Sequence, residues 1–196
     1  MVLPIVLAST SPWRLQMLRA AGIPCEGVAP LADERSVQDA DPVARALGRA
    51  TVKARSVPRP DAVVIGADQV AHLDDEVFGK PLDLADHLAR LQRLRGRAHT
   101  LSTGVCIVVP GGAEVRFVDQ SVLHARADVS DAELAAYVAS GEGTGCAGGY
   151  AIEGRGAQLF SRIDGDYFNV IGLPLLRVID ALRGLGWRPD LAGAPA

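Results

Sequence analysis

The stretch that most constrains the fold lies near the N-terminus. A short apolar run, Val2 to Leu7, passes through Ala8-Ser9-Thr10-Ser11 into Pro12-Trp13-Arg14. The run has the length and composition of a buried strand, with Pro4 tolerated at its entry. After it, Leu15, Leu18 and Gly22 recur at helical spacing. Ser11 suits the N-cap, and Pro12 suits the first helical position, where no backbone donor is needed. The chain therefore begins as strand, hydroxyl-rich loop and helix N-terminus, the start of an α/β fold. Such a junction aims free N–H groups and the positive end of a helix at one point, which suits an anion such as phosphate. Arg14 adds a charged fork beside it. The plain alternative is an ordinary β–α junction that binds nothing.

Further along, Ile23 to Val28 reads as a second strand, and Pro30 to Asp41, containing Asp33-Glu34-Arg35, as an acidic surface loop. Asp41-Pro42 opens a helix running to about Val57, ended by Pro58 and Pro60. Arg45, Arg49 and Lys53 recur every four residues and share one face of that helix, a pattern that is usually only wet surface. Ala62 to Ile65 reads as a buried strand delivering Gly66-Ala67-Asp68-Gln69 at its carboxyl end, where ligands of open α/β sheets sit. A carboxylate there is placed to hold a metal or activate water; the alternative is a strand-end Asp bonded to nearby amides. A turn at Asp74-Asp75 leads to Gly79-Lys80-Pro81, in which a single Lys sits on stiffened backbone.

Asp83 to Leu94 is an amphipathic helix stopped by Gly96, and Ala98 to Val109 with Val115 to Ala125 forms a long hairpin about Pro110-Gly111-Gly112. Ser130 and Glu133 form a capping box. A Gly-rich segment follows from Gly141 to Gly156, then an extended stretch from Leu159 to Val170 with a turn at Asp164-Gly165, and a last helix from Leu173 to Leu185. The order β-α-β-α-β-β-α-β-β-α-β-α predicts an α/β protein with a mixed sheet.

Composition matters mainly for what it excludes. With 196 residues, 48% hydrophobic, the chain can bury one sizeable core. A net charge of −3 argues against broad nucleic-acid or membrane-surface binding, and no segment has the roughly 18 apolar residues of a membrane span. Cys25, Cys106 and Cys146 lack paired spacing, so neither a disulfide framework nor a zinc site is expected. Reduced thiols in a cytoplasm are the simplest reading, and the short N-terminal run does not read as a signal peptide. None of the four His residues has ligand spacing, and His99 is expected to bond to backbone.

Leu7 to Arg14, Asp33-Glu34, Lys53-Ala54, Gly66-Ala67-Asp68-Gln69, Gly79-Lys80-Pro81, Gly96 to His99 with Thr103-Gly104-Val105, and Asn169 to Leu175 occur in the order found in Maf proteins. These are nucleoside triphosphate pyrophosphatases, also called septum-formation-inhibitor-like proteins, and the chain resembles them from about Leu3 to Trp187. The resemblance implies an α/β, ITPase-like mixed twisted sheet flanked by helices, with two lobes and a central cleft. It implies one domain over residues 1–190 with a flexible tail over 191–196, often in a homodimer.

The activity so implied converts a nucleoside triphosphate to the monophosphate and pyrophosphate with a divalent cation, Mg²⁺ or Mn²⁺, as a house-cleaning reaction. By position, Asp68 is the proton acceptor, Glu34 and Asp68 hold the metal, and Ser9, Arg14, Lys53 and Lys80 meet the phosphates. The chemistry agrees, because a triphosphate needs several cations and its leaving pyrophosphate must be stabilised. Ser11-Pro12-Trp13, Asp68-Gln69 and Cys146-Ala147-Gly148 resemble the branch acting on 7-methyl-GTP, with Trp13, Gln69 and Glu153 as the base-selecting set. The branch acting on dTTP and UTP would carry Arg, Thr and Gln at those three positions. Tyr150-Ala151-Ile152 and Tyr167-Phe168-Asn169 resemble the family at large rather than that branch. A non-catalytic partner of the cell-division machinery is the alternative from another class.

Overall fold

The computed structural model describes residues 3–189; Met1, Val2 and the expected tail over 191–196 lie outside the described residues. Its sheet runs in the order β2-β1-β3-β5-β6-β7. Those strands are Ile5–Ala8 (β1), Cys25–Val28 (β2), Val63–Leu73 (β3), Ala98–Val108 (β5), Glu114–Ala125 (β6) and Phe160–Asp164 (β7). A short β4, Glu76–Phe78, pairs with the far end of β3. β1 lies parallel to both β2 and β3, whereas β3, β5, β6 and β7 pair antiparallel, so the sheet is mixed.

Among the described residues six α-helices flank it: Pro12–Ala20 (α1), Pro42–Arg55 (α2), Leu84–Leu94 (α3), Asp131–Ala139 (α4), Tyr167–Ile171 (α5) and Leu175–Gly184 (α6). Their starts follow the expected chemistry. Ser11, Asp41 and Asp83 cap α1, α2 and α3 through their side chains, and Ser130 with Glu133 closes a capping box on α4. The stretch expected to be extended from Leu159 to Val170 is a strand only as far as Asp164. Asp166 accepts from Phe168 N, caps a new helix and turns the rest into α5.

A larger difference concerns β3. Asp68 does not end this strand but lies in the middle of its 11 residues. The strand that ends there is β1, whose pairing with β3 stops at Ala8–Gly66, while β4 takes up the same edge only from Ala71. Antiparallel pairing with β5 carries β3 through Asp68 and beyond. Ala67 to Val70 therefore face a notch between the end of β1 and the end of β4.

One face of the sheet carries two apolar cores. Ile5, Leu7, Ile65, Ala67, Val105 and Ile107 pack under α1 and α6, with Leu18, Val178 and Leu182. Ala71, Leu73, Leu101 and Leu123 pack with Leu91, Leu94, Leu134 and Val138 of α3 and α4. Between them the side-by-side pair Gln69–Thr103 interrupts the apolar surface. His99, buried in the second core, bonds to the Tyr150 hydroxyl at 2.6 Å rather than to backbone. Burial first, then the His72 and His124 charges, push it down to about 4.

The opposite face is covered by α2, which comes very close. A Cβ on Gly66 would stand 2.2 Å from Ala50 O, and one on Gly104 would stand 2.5 Å from Ala46 O. The fully buried Ala46, Ala50 and Ala54 complete this small-residue contact. Gly66→Ala is therefore expected to lower stability by about 1–3 kcal/mol, the cost of overpacking a filled contact. Gly145→Ala, where an added Cβ meets nothing within 4 Å, should stay within about 0.5 kcal/mol, the ordinary range for surface changes. Urea midpoints of the two variants check both.

Candidate active site

The close seating of α2 brings its polar stripe over β3. Lys53 is buried, not wet, and its Nζ donates to Asp68 Oδ1 at 2.6 Å. The same ammonium pairs with Glu34 Oε2 and so bridges the two carboxylates. Arg49 Nη1 stands 3.9 Å from Asp68 Oδ2, an ion-pair distance but too long for a hydrogen bond. Asp68 Oδ2 is buried and has no hydrogen-bond partner. Burial pushes the Lys53 ammonium down from its ordinary value. The Asp68 carboxylate opposes that shift, and the Arg14 and Lys80 cations add to it.

Glu34 reaches this cluster because the acidic loop lies along α2. Leu31 N donates to Ser56 Oγ at 3.0 Å, Arg49 Nε to Val37 O at 3.2 Å, and Arg45 Nε to Asp39 O at 2.7 Å. With the Lys53–Glu34 pair these make four ties, at residues spaced along one side of the helix. The loop side chains are largely exposed, as an acidic surface segment should be, but its backbone is strapped down.

Across the notch, the β1–α1 junction forms as expected. Ser9 Oγ accepts from Ser11 N at 3.1 Å and from Arg14 Nη1 at 3.4 Å. Arg14 also donates through Nη1 to Ala67 O at 2.9 Å and through Nε to Gly172 O at 2.7 Å. The phosphate-binding expectation thus meets an Arg whose Nε and Nη1 are committed to backbone and Ser9, leaving Nη2 for a ligand. Burial pulls the guanidinium pKa down and the Asp68 charge opposes this. Lys80 follows β4 at the other side of the notch, exposed and without an ion pair among the described residues.

The base-selecting set is less gathered. Trp13, in the first turn of α1, is 48% exposed and does not belong to the core. Gln69 points to the sheet face opposite Asp68. Its Nε2 donates to Thr103 Oγ1 at 3.0 Å and to Asn169 O at 2.6 Å, leaving its carbonyl oxygen uncommitted. Glu153 is exposed beyond a Gly-rich turn. Burial, then Glu153, raise the Cys146 thiol while Lys80 lowers it, so Lys80 and Glu153 both stand near Cys146. That thiol is a poor nucleophile. No hydrogen bond or ion pair joins Trp13 to Gln69 or Glu153 among the described residues. The sequence reading did not single out Arg49, Thr103 or Asn169 as site residues; the four-residue spacing of Arg49 with Lys53 was the available signal for the first.

No three His, Cys, Asp or Glu side chains cluster as a metal site among the described residues. A hard cation that keeps waters and takes phosphate oxygens needs only one or two carboxylates from the protein. Glu34 and Asp68, sharing one ammonium and leaving Asp68 Oδ2 buried and unpartnered, fit that requirement.

The chain matches the Maf-like protein family over residues 4–185. It is 42% identical to a dTTP/UTP pyrophosphatase from Deinococcus radiodurans over 184 residues, covering 93% of each chain. It is 39% identical to a 7-methyl-GTP pyrophosphatase from Rhizobium johnstonii over 192 residues, covering 93% of this chain and 96% of that one. Among solved structures it resembles a HAM1 protein from Coxiella burnetii with a TM-score of 0.52 and 14% identity, covering 93% of this chain and 99% of the other. At that identity the likeness speaks for the fold alone.

The buried ion pair makes a stability prediction of its own. Lys53→Met leaves Asp68 buried without its partner and should cost about 3 kcal/mol. Adding Asp68→Asn removes the stranded charge and should recover at least half of that loss. Urea unfolding of the single and double variants checks the ordering.

Proposed function

The chain belongs to the Maf family, and we propose on that footing that it is a nucleoside triphosphate pyrophosphatase, cleaving between the α- and β-phosphates. The observation that carries this reading is the Asp68 carboxylate. One oxygen is held by Lys53 and the other is buried and free, beside a notch ringed by Arg14, Lys53 and Lys80.

In the proposed reaction Asp68 Oδ2 takes the proton of a water whose oxygen bonds to the α-phosphorus. The bridging α–β P–O bond breaks, and its electron pair leaves on the pyrophosphate oxygen. Glu34 and Asp68 would hold a divalent cation, Mg²⁺ or Mn²⁺, which supplies charge neutralisation and a more acidic water. Lys53, Arg14 Nη2 and Lys80 face the charge that accumulates on the leaving group. Ser9 keeps its hydroxyl proton for a phosphate oxygen while its lone pairs hold the junction.

For the base, we infer 7-methyl-GTP. N7-methylation puts a positive charge on guanine, and the exposed indole of Trp13 offers an electron-rich face to it. The uncommitted carbonyl of Gln69 accepts from a base donor, and the free carboxylate of Glu153 accepts from N1–H and the exocyclic amine side by side. A pyrimidine triphosphate is the second reading, favoured by the activity named for the Deinococcus relative.

With Mg²⁺ the products are expected to be a monophosphate and pyrophosphate, and a chelator should abolish turnover. Asp68→Asn should keep the melting temperature within a few degrees and lose on the order of 10² or more in rate, the scale of a general base. Ion chromatography of the products and the turnover of the variant check this; orthophosphate release or near-wild-type turnover would defeat it.

The base assignment is tested separately. kcat/KM for 7-methyl-GTP, GTP, UTP and dTTP is compared between wild type and Trp13→Arg/Gln69→Thr/Glu153→Gln. Wild type should rank 7-methyl-GTP first, and the triple change should lower it relative to UTP and dTTP by about tenfold or more, the scale of removing a cation–π contact and a charge-assisted pair. A wild-type preference for UTP or dTTP decides for the pyrimidine reading.

A further inference from the structure

Of the residues that tie the acidic loop to α2, Arg49 differs from the rest. Toward the loop, the Arg45 and Ser56 side chains meet only backbone, and the Lys53 ammonium meets only carboxylates. Arg49 does both: its Nε holds Val37 O at 3.2 Å, and its Nη1 stands 3.9 Å from the free oxygen of Asp68. A planar guanidinium can serve two partners in fixed directions, which an ammonium on a flexible stem cannot. Its side chain is only 20% exposed, so the charge acts in a partly dry setting. Next to it, a Cβ on Gly48 would stand 2.9 Å from Val37 Cγ1, so the loop packs directly on the helix at this point.

We propose that Arg49 is a positioning residue: it clamps the acidic strap at Val37 and stands against Asp68 Oδ2, so that Glu34 and Asp68 face the notch as a ready pair of oxygen ligands. The proposal rests on the reading of those two carboxylates given above. Its physical content is preorganisation. Without Arg49 only the Glu34–Lys53 pair holds the strap between Leu31 and Asp39, so Glu34 swings away from Asp68 part of the time, and apparent cation affinity falls with the fraction of chains that are competent. Arg49 touches neither the cation nor the substrate in this account.

The test uses the full chain and Mn²⁺ as the probe. Free Mn²⁺ is titrated by electron paramagnetic resonance, and amide exchange is followed over residues 34–39, in wild type, Arg49→Met and Arg49→Lys. Arg49→Met should weaken Mn²⁺ about tenfold, the lower end for losing a group that orients a ligand, and exchange over 34–39 should speed up by a similar factor. Arg49→Lys keeps the charge but not the fork; if Arg49→Met does not fold, the lysine variant alone carries the test through faster exchange. Mn²⁺ affinity and exchange both within twofold of wild type would overturn the proposal. So would weakened Mn²⁺ with unchanged exchange, because then only the charge matters. A wild-type protein that binds Mn²⁺ but cleaves no nucleoside triphosphate defeats the functional reading instead, and leaves both measurements on Arg49 intact.

Discussion

The arrangement depends on how closely α2 can approach the sheet. Gly66 and Gly104 leave no Cβ between the strands and the helix, and the helix answers with Ala46, Ala50 and Ala54. A helix carries every fourth side chain on the same side, so a helix pressed this close delivers Arg49 and Lys53 to one strand residue. That residue is Asp68, paired in register with Gly104 itself. The glycine that admits the helix and the carboxylate the helix serves are therefore neighbours across one ladder rung. A charge buried this deeply is tolerable only with a partner, and Lys53 supplies it.

The second constraint is that β1 is short. Four residues long, it leaves the edge of β3 at Gly66, and β4 does not arrive until Ala71. Parallel β1 and antiparallel β4 both point their carboxyl ends at the gap, so the Ser9–Arg14 junction and Lys80 meet across it. On the rear face the same level of the sheet holds Gln69 and Thr103 between two apolar cores. The break in strand pairing and the break in apolar packing coincide at this level of the sheet.

These facts divide cleanly into those a sequence carries locally and those it does not. Caps, turns and hairpins lie within a few residues of their partners, and Ser11-Pro12, Asp41-Pro42, Asp83 and the Ser130–Glu133 box all start helices as read. The length of β3 is different, because its later half is held by β5, some thirty residues away, and no local signal marks that pairing. The two bland readings of the acidic loop and of the basic stripe on α2 had the same flaw: each is polar surface when considered alone. Together they satisfy one another, and Lys53 is buried as a result. Asp166 likewise turned an apparently extended stretch into α5, a cap hidden behind the more conspicuous Asp164-Gly165 turn.

Burial divides the residues about the notch into two sets. Ser9, Lys53 and Asp68 are buried and are fixed by backbone and ion-pair partners. Trp13 and Glu153 are exposed, and Gln69 sits on the far side of the same strand from Asp68. Among the described residues no hydrogen bond or ion pair joins the second set to Lys53 or Asp68, so a substitution there leaves the buried pair its partners. A buried carboxylate cannot be exchanged so freely: an apolar side chain in its place would strand Lys53 at a cost of several kcal/mol, on the order of 3–5. What is open to change at this notch is therefore its rim, an indole, an amide with an uncommitted carbonyl and a carboxylate, and what is fixed is the buried ion pair.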